Sequence, residues 1–162
     1  MLFGIPAQLP AELLQVLASM GHGDEIALVD ANYPAYSNAQ STYCGAPIEL
    51  AGLDLPAATQ DILTVLPLDT FDEAPAQAMA VPGNHKALPS VQQDVLEILK
   101  HIPGGPWPLT PLERFAFYER AKKAFVIVRT LERRPYGCVI FKKGVLSPTG
   151  ELMSPELASA IE

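Results

Sequence analysis

In "GHGDEIALVDANYP", residues 21–34, a histidine sits between two glycines, and three carboxylates follow it, Asp24, Glu25 and Asp30. An imidazole titrates near neutrality, so His22 is suited to taking a proton from a hydroxyl and returning one. The residue types alone leave open a histidine that only hydrogen-bonds its own turn, and an Asp30 that only caps the turn after it. Two more groupings have the types that hold a polar ligand. Arg114 and Tyr118 are four apart in "RFAFYER" and share a helical face. They could grip hydroxyls or a carboxylate, or be a snorkelling arginine beside a half-buried tyrosine. In "RRPYGCVIFKK", Tyr136 and Gly137 precede Cys138 at the start of an apolar run. A phenol and bare backbone could meet a ligand there, or the segment could be an ordinary turn into a strand.

Other chemistries lack their residues. There is no GxGxxG and no GxxxxGK[ST] to cradle phosphates, no HExxH, and no GxSxG elbow. His22, His85 and His101 lie far apart, so no metal site is signalled. Cys44 and Cys138 are too few for a disulfide framework, and Cys44 reads as a small apolar thiol. The net charge is −7 and the pI about 4.9. The basic residues cluster only as the pairs Lys122–Lys123, Arg133–Arg134 and Lys142–Lys143, which argues against a nucleic-acid groove. "MLFGIPAQLP" has neither the basic nor the long apolar region of a signal peptide, and no run reaches membrane-spanning length. These features together predict a soluble protein of a reducing cytoplasm, with no nucleic-acid or membrane partner. Hydrophobic residues make up 49% and charged residues 18%, a balance that suggests surface hidden in subunit contacts.

Periodicity supplies the elements that must position these groups. "PAELLQVLASMG" predicts a helix with Leu13, Val16, Leu17 and Met20 on one face and Gly21 as its C-cap. "EIALVDA" predicts a buried strand, which puts His22 in the connection before it and Asp30 at its carboxyl end, where ligands of open α/β sheets gather. "PIELAGLDL" is a short strand or a turn. "LPAATQDILTVLPL" predicts a helix using Ala58, Ile62 and Val65, and "AQAMAVPG" a strand. "SVQQDVLEILKHIPGGPWP" predicts a helix with Val91, Val95, Ile98 and Ile102 inward. "TPLERFAFYERAKKA" predicts another, capped by Thr110, with Pro111 in the first position and Glu113 completing a capping box. Phe115, Phe117 and Phe125 are expected in the core. "AFVIVRT" and "YGCVIFKKG" predict two strands. The alternation predicts one domain over residues 1–148, a layered α/β/α fold with a mainly parallel sheet. Residues 149–162 form a tail in which "SPELASAIE" predicts a short helix, with Ser154 as cap and Leu157 and Ile161 four apart.

"MGHGDEIALVDANYPA", "RFAFYERAKKAFVIVRTLERRPYG" and "FKKGV", in this order and spacing, resemble the L-fucose mutarotase and D-ribose pyranase (RbsD/FucU) family, and the fucose branch more than the ribose branch. The likeness runs from the first helix to about Pro148. It implies a cytoplasmic isomerase that interconverts anomers or ring forms of a free monosaccharide, most of all L-fucose, without a cofactor. It also implies a ring-like homo-oligomer, often a decamer, with active sites at subunit interfaces. His22 takes the acid–base role, and Asp30, Arg114, Tyr136 and Gly137 bind sugar; Tyr118, on the face of Arg114, and Cys138, next after Gly137, complete the expected sugar-binding set. Where the fucose branch has tyrosine-glycine-asparagine, this chain has Cys138, whose thiol is a weaker donor and acceptor than a carboxamide. The alternatives are a pyranase for ribose or another aldose and, in a different class, a non-catalytic monosaccharide-binding protein.

Overall fold

The computed structural model describes residues 1–159. The chain runs α1 (Ala11–Ser19), β1 (Glu25–Val29), α2 (Ala35–Ala39), β2 (Ile48–Leu50), α3 (Leu55–Leu63), β3 (Ala76–Met79), α4 (Ser90–Leu99), β4 (Thr110–Leu112), α5 (Arg114–Ala121), β5 (Val126–Thr130), β6 (Val139–Lys142) and α6 (Pro155–Ser159). The strands form one sheet in the order β2-β5-β1-β6-β3-β4. The β1–β5, β2–β5 and β3–β4 pairs are parallel, and β6 lies antiparallel between β1 and β3.

The central strands are apolar on both faces because both faces are covered. Ile26 and Leu28 of β1 pack into one core with Leu13 and Leu17 of α1, Ile62 of α3, and Val91 and Val95 of α4. Ala27 and Val29 face a second, smaller core with Ala35 of α2 and Phe117 and Ala121 of α5. The three layers are those the alternation predicts. α5 is tied to the sheet by Arg120, whose Nε donates to Glu25 Oε2 at 2.9 Å and whose Nη1 donates to Gln77 at 2.7 Å.

Several local expectations change. α1 ends at Met20 in an extended conformation, and the left-handed glycine is Gly23 (φ 84°), not Gly21. Thr110 caps nothing: Thr110–Leu112 is the edge strand β4, which tolerates Pro111, and the N-cap of α5 is Glu113. The Glu113 side chain accepts from Phe115 N at 2.8 Å and Ala116 N at 3.0 Å. Phe115 is exposed rather than in the core, whereas Phe117 is fully buried. α3 and α4 stop before Val65 and Ile102, which pack from the turns that follow. The five-residue α2 carries no periodic run and was not expected.

The tail folds back antiparallel, Leu146 against Leu152, and Thr70 Oγ1 donates to Met153 O. Ser154 Oγ accepts from Leu157 N, so it caps α6 as expected, while Ile161 lies outside the described residues.

Candidate active site

The parallel strands send their carboxyl ends to one edge of the molecule, and the segment before β6 returns to the same edge. Four segments meet there: the turn 30–33 after β1, the end of β3 at Met79, Arg114 and Tyr118 of α5, and the turn 135–138. They line a cavity of about 170 Å³. Every sugar-binding residue expected from the resemblance lines it or, like Gly137, lies between two that do.

Asp30 is buried, and its two oxygens have different neighbours. Oδ1 accepts from Asn32 N and Tyr33 N, both at 3.0 Å, which fixes the carboxylate. Oδ2 accepts from the Cys138 thiol at 3.5 Å. Burial pushes the Asp30 pKa up, and hydrogen bonds from Asn32, Cys138, Tyr33 and Gly137 pull only part of the way back. Cys138 is only 1% exposed, and burial pushes its thiol well up, with the Asp30 charge adding to the shift. It is therefore a protonated donor held on Asp30. Gly137 has no room for a side chain, since a Cβ would stand 2.6 Å from Glu132 Cγ and 3.4 Å from Asp30 Cβ. Tyr136 has φ 62°, a left-handed conformation uncommon for a tyrosine. Tyr118 stacks on Tyr33 at 5.2 Å. The Arg114 guanidinium lies 4.8 Å above the Phe115 ring, and its buried Nε–H has no partner among the described residues. A buried donor without an acceptor is costly unless a ligand supplies one.

His22 lies elsewhere. It precedes β1 and Asp30 follows it, so a five-residue strand about 16 Å long separates them. The carboxylates close in sequence serve other ends. Asp24 Oδ2 accepts from Gly21 N at 2.7 Å and closes the turn, and Glu25 binds Arg120. Gly23 donates to Lys143 O at 2.8 Å, pinning the turn to the end of β6. The partner of His22 is Asp69: Nε2 and Oδ1 are 3.0 Å apart, with Asp69 buried and His22 half exposed. Asp69 Oδ1 also accepts from Phe71 N, and the Phe71 ring lies 5.7 Å from the imidazole. A carboxylate only accepts, so the neutral His22 ring carries its proton on Nε2 and leaves a lone pair on Nδ1. Behind His22 lies a largely apolar cavity of about 480 Å³, lined by Leu2, Leu14, Leu17, Val145 and Leu146 among others. Asp69, Asn32, Tyr33 and Met79 were not singled out from sequence. Asp69 stands 47 residues from His22 in a stretch without a motif, whereas Asn32 and Tyr33 lie within the histidine segment itself.

The comparisons agree with this architecture. The model of the RbsD / FucU transport protein family matches residues 4–146. A Danio rerio protein named fucose mutarotase is 47% identical over 149 residues, covering 90% of this chain and 94% of that protein. Its Homo sapiens counterpart is 46% identical over 148 residues, covering 89% and 94%. The crystal structure of the fucose mutarotase from Streptococcus pneumoniae in complex with L-fucose superimposes with a TM-score of 0.79 at 36% identity, covering 90% of this chain and 100% of that one. The chain belongs to the RbsD / FucU family.

Proposed function

We propose that this protein is a sugar mutarotase that interconverts the anomers of a free monosaccharide, with L-fucose as the preferred substrate. The observation that carries the reading is one cavity lined by both Arg114, whose buried Nε–H has no partner among the described residues, and the fixed Asp30 carboxylate, together with Tyr118 and Tyr136. The cavity thus offers both a donor and acceptors, as the hydroxyls of a pyranose require. The relatives named fucose mutarotase point to the same substrate.

In this reaction a base removes the proton from the anomeric hydroxyl and the ring oxygen gains one. The C1–O5 bond breaks, giving the open aldehyde. Rotation about C1–C2 and closure on the other face yield the second anomer. His22 takes and returns the proton through Nδ1, with Asp69 on Nε2 holding the ring and stabilising the imidazolium that forms. Asp30 accepts from one sugar hydroxyl through Oδ2, Arg114 donates to another, and Tyr118 and Tyr136 bound the ring. Gly137 keeps the backbone close, and Cys138 contributes through Asp30. Because His22 and the sugar pocket lie at opposite ends of β1, the reading requires head-to-tail assembly, with His22 of one subunit closing the pocket of the next. A ring-shaped homo-oligomer in the cytoplasm meets that requirement. Among the described residues no helix is long and apolar enough to cross a membrane.

The test is anomer exchange by NMR on equilibrated L-fucose, D-ribose and D-galactose. Exchange on L-fucose well above the buffer blank supports the reading. A larger effect on D-ribose moves the substrate to the pyranase alternative, and no acceleration with any sugar leaves only a binding protein.

A further inference from the structure

Gln92 is a buried polar side chain that the reaction does not use. It sits in the first turn of α4, in the helical layer on the other side of the sheet from α5, and is 3% exposed. Its Nε2 donates to Met79 O at 2.8 Å and to Tyr136 O at 2.9 Å. Both acceptors are carbonyl oxygens, so only the NH₂ end of the carboxamide can face them. Both belong to residues that line the sugar cavity. Two residues further along α4, Asp94 Oδ2 accepts from Arg134 Nη1 at 2.7 Å. Arg134 in turn binds the buried Glu132 through Nε at 3.0 Å and Nη2 at 2.9 Å. α4 therefore holds the turn before β6 at two points, and one of them is the carbonyl of the residue with left-handed backbone. Such a conformation persists only where its surroundings impose it.

We infer that Gln92 is a positioning residue of the sugar pocket: its carboxamide joins the end of β3 to the Tyr136 turn and holds the Tyr136 phenol and the Gly137 backbone at the cavity. The inference rests on the mutarotase reading for its ligand alone. The backbone role can be read without any sugar.

Gln92→Met keeps the length of the side chain and removes both donors. Gln92→Asn keeps the amide but falls one methylene short. For each, KM for L-fucose should rise about tenfold while kcat stays within about twofold, the signature of lost ground-state positioning without lost chemistry. The pH profile of the rate should not move, because the carboxamide carries no titratable proton and binds two uncharged carbonyls. A crystal structure of either variant should show Tyr136 displaced from its left-handed conformation. An unmoved Tyr136 in a folded variant overturns the inference, whatever the kinetics. So does a displaced Tyr136 with unchanged KM, or a kcat loss at constant KM. If neither variant folds, hydrogen exchange of the Gln92 side-chain amide in the wild-type chain decides. Slow exchange supports the inference, and exchange at the rate of a free carboxamide overturns it. If the wild-type protein accelerates no sugar, the mutarotase reading fails, and the Tyr136 conformation in the variants still decides the role of Gln92.

Discussion

The hydrogen-bond partner of His22 is far away in sequence. Asp24 and Glu25 are committed to the turn and to Arg120, and among the described residues the imidazole bonds to Asp69. Because His22 is half exposed and packs little core, His22→Ala should leave the melting temperature unchanged and lower kcat by about 100- to 10,000-fold, as NMR anomer exchange would measure. An unaltered rate removes His22 from the chemistry. Asp30 shows the opposite balance between function and stability. Its folded-state pKa lies above the ordinary 3.8, so the folded chain binds the Asp30 proton more tightly than the unfolded one. The favourable contribution is full below that ordinary value and is lost as pH rises through the raised one. Asp30→Asn keeps an oxygen for Asn32 N and Tyr33 N and drops the buried charge. It should therefore melt higher than wild type by about 2–4 °C near neutral pH, with the gap closing as the pH falls, and should lose L-fucose binding. A lower melting temperature at neutral pH contradicts this account of Asp30.

At the scale of elements, what could be read from sequence follows from how local the cause is. α1, β1 and β5 announce themselves because burial repeats within each segment: Leu13 and Leu17 on one helical face, and the unbroken apolar runs 26–29 and 126–128 in the strands. The start of α5 misleads because Thr110, Pro111 and Glu113 form a plausible local cap. Pairing of Ala78 with Pro111 across the sheet edge outweighs it, moving the cap to Glu113. The site divides the same way. Asp30, Arg114, Tyr118 and Tyr136 carry motifs, whereas Asp69 and Gln92 act across 47 and 44 residues and leave no local trace. The turn from Leu131 to Cys138 is the element most exposed to a single change. Gly137→Ala would drive a methyl to 2.6 Å from Glu132 Cγ and 3.2 Å from Arg134 O. It should cost about 1–3 kcal/mol by denaturant unfolding, as overpacking does, and raise KM for L-fucose at the same time. Full stability with normal KM means the turn yields freely, against the packing seen around Glu132.

At the scale of the whole molecule, the two halves of the proposed site face away from each other. Asp30, Arg114 and Tyr136 gather at the carboxyl ends of β1, β3, β4 and β5, while His22 and Asp69 sit at the amino ends. No bending of a five-residue central strand, buried on both faces, brings them together within one chain. The apolar residues exposed near each end, Phe71 and Leu146 beside His22 and Phe115 beneath Arg114, are suited to contacts between copies. Shared sites of this kind have a distinctive signature in mixtures. His22→Ala chains keep an intact pocket, and Arg114→Ala chains keep an intact histidine, so neither alone should be active. When equal amounts are unfolded and refolded together, a site built from two neighbours finds one intact half from each chain in about a quarter of cases, and that share of wild-type activity should return. A site contained in one chain regains nothing on mixing. Zero recovery from a mixed oligomer of native size would place His22 and the sugar pocket in separate roles.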